Sequence, residues 1–181
     1  MKILDAKNDL NLLDPRVRDI AVRFKQKCLD SGNEILIIET FRTAERQNYL
    51  YVNRKTLAKA GWSYHQYGLA FDFCPLTNGQ PDWNNKAKWQ VCGKIAEDMG
   101  LEWGARWKTF PDSPHLQFTF GLSIQNLYAG KKPPTENETP SKWAEIAWNK
   151  AVKSGVITKL PHANITKEEL AVVFDKLGLL K

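Results

Sequence analysis

Two short stretches limit the folds open to this chain. Residues 69–73, LAFDF, and 115–120, HLQFTF, alternate with the period of two of a strand lying on a half-buried sheet. In the first, Leu69, Phe71 and Phe73 face one way and Ala70 and Asp72 the other. In the second, Leu116, Phe118 and Phe120 lie opposite His115, Gln117 and Thr119. Each strand therefore offers an apolar face to a core and keeps titratable side chains on its back. A third strand, ILIIET at 35–40, is short, β-branched and reads as buried. Three helices are predicted around these strands. Residues 14–30 begin with Asp14 as cap and Pro15 at the first helical position, and put Val17, Ile20, Ala21, Phe24 and Cys28 on one face. Residues 43–60 begin at Thr43, followed three positions later by Arg46 rather than Glu, so a capping box is absent. Residues 84–100 stop at Gly100. Helices interspersed with short alternating strands predict an α+β domain, a small antiparallel sheet flanked by helices, ending near residue 128.

The stretch that follows, AGKKPPTENETPS at 129–141, has three prolines and no large apolar residue, the composition of a linker. Beyond it, 142–181 reads as a small all-α helix–loop–helix domain. Ser141 caps the first helix, which spaces Trp143, Ile146, Ala147, Lys150 and Ala151 helically. Thr166 with Glu169 makes a capping box for the second. Roughly forty residues are marginal alone and normally dock, associate or repeat, so a homo-oligomer through this unit is one expectation. The organisation is thus a domain over 1–128, a linker over 129–141 and a helical domain over 142–181.

Bulk properties narrow the function classes. With 43% hydrophobic and 25% charged residues, the chain has the makeup of a globular protein rather than a disordered one. Its formal net charge of +6 favours anionic partners, but the basic runs are pairs such as Lys131-Lys132 and no nucleic-acid motif is present, so nucleic acid is not expected. A solvated basic surface and an anionic wall polymer both remain open. Three scattered cysteines, Cys28, Cys74 and Cys92, make neither a disulfide framework nor a CxxC metal site, which suits a reducing cytoplasm. The first fifteen residues lack a signal peptide's apolar core, and no stretch has the length of a membrane span.

Chemistry concentrates in GWSYHQYGLAFDFCP, 61–75, which holds one of only three histidines. If the strands bearing Asp72 and His115 are neighbours, His65, Asp72 and His115 converge on one point. Three N/O ligands with a fourth position open is the arrangement of a catalytic zinc site. An aspartate on a half-buried aromatic strand is costly without a partner, and a cation is one such partner. Asp112 lies three residues before His115, between Pro111 and Pro114. A carboxylate beside a zinc ligand can take a proton from an attacking water and deliver it to a leaving amine. Read alone, Asp112 equally caps the turn, and Arg42, in the ETFRTAERQ segment at 39–47, has an ordinary surface ion pair as its lesser alternative. His162, in the tail loop, reads as exposed and not as a ligand.

Ser63, His65, Gly68, Ala70 and Asp72 spell S-x-H-x-x-G-x-A-x-D, and Asp112, Pro114 and His115 spell D-x-P-H. Over about residues 10–125 this pair of motifs resembles the zinc peptidases that include the D-Ala-D-Ala carboxypeptidases of vancomycin resistance and the phage L-alanyl-D-glutamate endopeptidases. ETFRTAERQ, 39–47, resembles the same family's segment near the start of the domain. The resemblance implies Zn²⁺ held by His65, Asp72 and His115, with Asp112 as general base and acid. It also implies Arg42 as a catalytic and substrate-contacting residue, with Gln47 and Ser63 near the substrate. Asp112 stands where the carboxypeptidase branch has Glu, which fits the endopeptidase branch better. Trp103-Gly104-Ala105 stands where that branch often reads W-G-G, and Leu116 where it has Phe. The tail, WAEIAW…AVKSGVI…ITKEELAVVF, resembles one S-layer-homology repeat of the kind that grips wall polymers, with its middle shortened to TKLPHA. Its seven Lys against four acids suit an anionic polymer.

These likenesses imply a phage endolysin: a peptidoglycan endopeptidase cleaving L-Ala–D-Glu, held to the wall by its tail. It would stay in the host cytoplasm until a separate pore releases it. Two further expectations stand beside it. One is a D-Ala-D-Ala carboxypeptidase; the other is a wall-binding protein whose zinc is only structural.

Overall fold

The computed structural model describes residues 5–134. The chain divides between Lys131 and Lys132, and the elements described belong to the first unit. The helix pair expected over 142–181, His162 and most of the linker over 129–141 lie outside the described residues.

Helix α1 (Pro15–Asp30) forms where its sequence signals place it. The Asp14 carboxylate accepts from the Arg16 amide at 3.0 Å, and Pro15 occupies a position that needs no amide partner. Its buried face is Val17, Ile20, Ala21, Phe24 and Cys28. The strands are β1 (Ile35–Glu39), β2 (Ala70–Thr77), β3 (Gln80–Pro81), β4 (Glu102–Trp103) and β5 (His115–Gln117), and the helices after α1 are α2 (Ala44–Val52), α3 (Lys86–Asp98) and α4 (Ile124–Tyr128). The sheet runs β1-β2-β5-β4, antiparallel throughout, with β3 folded back on the far end of β2. Its apolar face is a ring stack. Phe24 of α1 meets Phe73 edge-on at 5.2 Å and Phe71 at 6.1 Å, and Phe73 meets Trp89 of α3 at 5.0 Å.

Three elements depart from their predicted spans. Helix α2 ends at Val52 instead of 60. Its one buried residue is Gln47, so no apolar stripe supports further turns. Asn53 instead caps the end with a 2.7 Å bond to the Tyr49 carbonyl, and Arg54 turns left-handed at φ 56°. Strand β5 ends at Gln117 instead of 120. Its register with β2 and β4 runs only from His115 to Gln117, and Phe120 leaves the extended region at φ 52°. Strand β2 runs on to Thr77 because β3 supplies a partner for Leu76 and Thr77. The two-residue strands β3 and β4, and the five-residue α4, are too short to show periodicity in a sequence.

Three local features aim side chains at one place. A register shift between Ile37 and Glu39 sets Glu39 opposite Asp72 on the neighbouring strand. The β2–β5 register sets Asp72 opposite His115. A 3-10 turn over Tyr64–Tyr67 presents His65 and closes at Gly68, whose φ of 69° is left-handed. Gly68 also accepts the Asp14 amide at 3.0 Å. A Cβ there would stand 2.9 Å from that amide nitrogen, so the turn docks on the start of α1 only with glycine.

Candidate metal centre

His65, Asp72 and His115 come together, and all three are buried. His65 Nε2 lies 3.2 Å from Asp72 Oδ1 and 3.1 Å from His115 Nδ1, and His115 Nδ1 lies 3.3 Å from Asp72 Oδ1. A tetrahedral ion with ligands at about 2.0–2.1 Å holds those ligands about 3.3–3.4 Å apart. The triangle, at 3.1–3.3 Å, is slightly smaller than that.

Ring orientations show which atoms face inward. His65 Nδ1 donates to the Thr40 carbonyl at 2.6 Å, which leaves Nε2 as a lone pair. His115 Nε2 donates to Gln117 Oε1 at 2.9 Å, which leaves Nδ1 as a lone pair. Two lone pairs and a carboxylate oxygen then face one another without a proton between them. A cation resolves that repulsion, and the N₂O donor set suits zinc.

The other Asp72 oxygen is held from outside. Arg42 Nη2 donates to Oδ2 at 2.6 Å, while Arg42 Nε donates to Glu39 Oε2 at 2.8 Å and Arg46 Nε to Glu39 Oε1 at 2.9 Å. Glu39 and Asp72 stand opposite on paired strands, where like charges repel, and the Arg42 guanidinium bridges them. In the metal-free protein, a proton on either imidazole can instead point at Asp72: burial works to raise its carboxyl, but the charge of a protonated His65, hydrogen bonds from protonated histidines and the Arg42 charge hold it well below the carboxylate range. His65 is pushed down by burial. His115 is buried too, yet in its protonated form the hydrogen bond it then makes to Asp72 and that residue's charge raise it.

Asp112 arrives on the loop between β4 and β5. Its amide donates to the Gly104 carbonyl at 2.9 Å, and its own carbonyl accepts from the His115 amide at 3.2 Å. A Cβ on Gly104 would stand 2.6 Å from the Asp112 carbonyl oxygen, so the close turn requires glycine. The Asp112 carboxyl is pushed up, first by burial and then by the negative charge of Asp72, against the pull of His115, Arg42 and His65. It is thus within the electrostatic field of the cluster.

The residues expected at the substrate are placed differently from one another. Arg42 spends two donor groups on Glu39 and Asp72, with its side chain 12% exposed. Gln47 is fully buried and donates to the Ala58 carbonyl at 2.7 Å, pinning the chain that follows α2. Its Oε1 is a buried acceptor without a partner. Ser63 precedes the His65 turn as its cap residue, without a capping bond, and is nearly covered.

Sequence reasoning passed over four supporting residues. Thr40 acts through a backbone carbonyl, which no side-chain pattern announces. Glu39 sits at the end of a strand otherwise read as apolar. Gln117 shares the His115 face, so its spacing of two was a usable signal. Glu102, which accepts from Gln117 Nε2 at 2.8 Å, lies on a strand too short to foresee.

Comparison with known proteins agrees with this geometry. Residues 56–118 match the profile of a peptidase M15 family described as D-alanyl-D-alanine carboxypeptidase, a span that includes His65, Asp72, Asp112 and His115. The chain is 36% identical over 121 residues to the peptidoglycan L-alanyl-D-glutamate endopeptidase CwlK of Bacillus subtilis (strain 168), covering 58% of this chain and 72% of that protein. It is 39% identical over 114 residues to the L-alanyl-D-glutamate peptidase of Listeria phage A118, covering 60% of this chain and 38% of that one. Among solved structures, the Serratia marcescens L-Ala D-Glu endopeptidase ChiX shares the fold, with a TM-score of 0.51 at 23% identity over 66% of this chain and 90% of that one.

Proposed function

The chain belongs to the peptidase M15 family and is a zinc metallopeptidase, and on that premise we propose that it hydrolyses the L-alanyl–D-glutamate amide of peptidoglycan stem peptides. The single observation that carries the choice of bond is the identity to CwlK across 72% of that endopeptidase.

His65, Asp72 and His115 would hold the ion, and zinc bound there would supply a Lewis acid for the amide carbonyl and favour attack by water near neutral pH. The remaining work falls to the chain itself. Asp112, raised by burial and by the Asp72 charge, is the carboxyl that takes the attacking water's proton in this reading. The same carboxyl then gives that proton to the departing amine of D-Glu. Arg42 keeps Oδ2 of Asp72 occupied, so that Oδ1 stays turned toward the two imidazoles. Contacts of Arg42 and Ser63 with the stem peptide belong to the proposal, with Gln47, fully buried, bracing the chain after α2 behind them, and any Arg42 contact is made by a guanidinium already engaged with Glu39 and Asp72.

The proposal extends to residues 142–181, whose lysine excess and likeness to an S-layer-homology repeat support a role in tethering the enzyme to an anionic wall polymer. The setting proposed with it is phage lysis, with the enzyme reaching the wall from the host cytoplasm. The description of the matched family supports a second reading, removal of a terminal D-Ala.

Mass spectrometry of digested peptidoglycan tests the choice. New D-Glu amino termini and L-Ala carboxyl termini are expected. Release of free D-Ala with stem peptides otherwise intact would reject the endopeptidase in favour of the carboxypeptidase.

A further inference from the structure

His115 can serve the metal only in one tautomer, with its proton on Nε2 and Nδ1 bare. Its partner, Gln117, does not guarantee this. A glutamine amide offers an oxygen on one side and an NH₂ on the other, and a half-turn exchanges them. With the NH₂ toward His115, Nε2 becomes the acceptor, the proton moves to Nδ1 and the ligand atom is lost.

The next two residues settle the half-turn. Gln117 Nε2 donates to Glu102 Oε2 at 2.8 Å, and Trp107 Nε1 donates to Glu102 Oε1 at 2.6 Å. An ionised carboxylate only accepts and an indole only donates, so the direction of every bond in the chain is determined. Trp107 gives to Glu102, Glu102 takes from Gln117, and Gln117 Oε1 takes from His115 Nε2 at 2.9 Å. We propose that Glu102, through Gln117, is a positioning residue that sets the tautomer of His115 and so its fitness as a zinc ligand. His65 has no such dependence, because a backbone carbonyl cannot turn over. The centre is therefore held by one fixed partner and one that Glu102 must orient.

The inference rests on His65, Asp72 and His115 being the zinc site, and the test separates the two claims. Glu102 is exposed and lies at the end of the sheet path, so its replacement leaves the core intact. Zinc affinity is measured by competition with a chelator, and the ligand field by the visible spectrum of the cobalt(II)-substituted protein. Glu102→Leu is expected to weaken zinc about tenfold, the lower end for loss of a partner behind a ligand, and to alter the cobalt spectrum, with unfolding of the metal-free protein unchanged. Gln117→Glu alone sets two carboxylates side by side and is also expected to weaken zinc. Combining it with Glu102→Gln restores a directed chain: the amide introduced at position 102 gives to the carboxylate introduced at position 117, and that carboxylate takes from His115. The double variant is expected to recover most of the affinity. Wild-type affinity and spectrum in Glu102→Leu would overturn the proposal. So would a double variant no better than Gln117→Glu. Failure of the wild type to bind zinc would instead sink the metal centre itself.

Discussion

On one side of β2, Phe71 and Phe73 meet Phe24 and Trp89 with ring centres 5.0–6.1 Å apart. On the other side of the same strand, Asp72 lies between two imidazoles at 3.2 and 3.3 Å and below a guanidinium at 2.6 Å. Both sides are buried, yet they are held by different physics. The aromatic side gains from removing apolar surface from water and tolerates small shifts of a ring. The carboxylate side gains nothing from burial as such, and stands only because each donor and acceptor has a directed partner or a cation to bind. A strand buried on both faces can thus carry the core on one and a reactive centre on the other. The cost of error differs: packing faults lower stability, and polar faults lower function.

Substitutions on the two sides should separate cleanly. Asp112→Ala is expected to slow peptidoglycan hydrolysis by about 10²–10⁴-fold, the range for loss of a general acid–base group, while zinc content stays at the wild-type level. Equal loss of zinc and activity would make Asp112 a part of the metal site and blur the division. Phe24→Ala, on the aromatic side, is expected to lower unfolding stability by about 3–5 kcal/mol. The folded fraction should bind zinc as tightly as the wild type. Weakened zinc in that variant at temperatures where it remains folded would show that the two sides are coupled.

Protons provide a gentler probe of the polar side. In the metal-free protein the partners of His115 raise it, so its proton is retained to higher pH than usual and competes with the ion. Zinc affinity should therefore fall as pH drops through the histidine range, by about tenfold per unit where one proton is displaced. Asp72, held low, does not compete there. Its folded-state value lies below its unfolded one, so it stabilises the fold above the ordinary carboxylate range and ceases to do so only as pH falls through its depressed value. Titration of zinc binding followed by calorimetry between pH 5 and about 8 checks the first, and acid unfolding checks the second. A zinc affinity independent of pH would mean that neither imidazole is a ligand.

Much of this was legible before any coordinates. The alternation of LAFDF and HLQFTF placed Asp72 and His115 on the faces away from the rings, and the β2–β5 register then brought them opposite. The capped, periodic stretch at 14–30 became α1 with the expected buried residues. What escaped was structure without a side-chain period. The end of α2 is decided by Asn53 and Arg54. The orientation of His65 is decided by a backbone carbonyl, and that of His115 by residues contributed from a two-residue strand and the turn after it. Arg42 was expected to face a substrate carboxylate or carbonyl. Its bridge between Asp72 and Glu39 depends on a register shift in β1 that no local pattern signals.

The central claim is that three buried side chains hold one ion. A crystal grown with zinc, with anomalous scattering recorded on either side of the zinc absorption edge, tests it most directly. The account expects one peak per chain in contact with His65 Nε2, Asp72 Oδ1 and His115 Nδ1, leaving a fourth position free of protein. A peak elsewhere, or one whose fourth position is filled by a protein side chain, would contradict it.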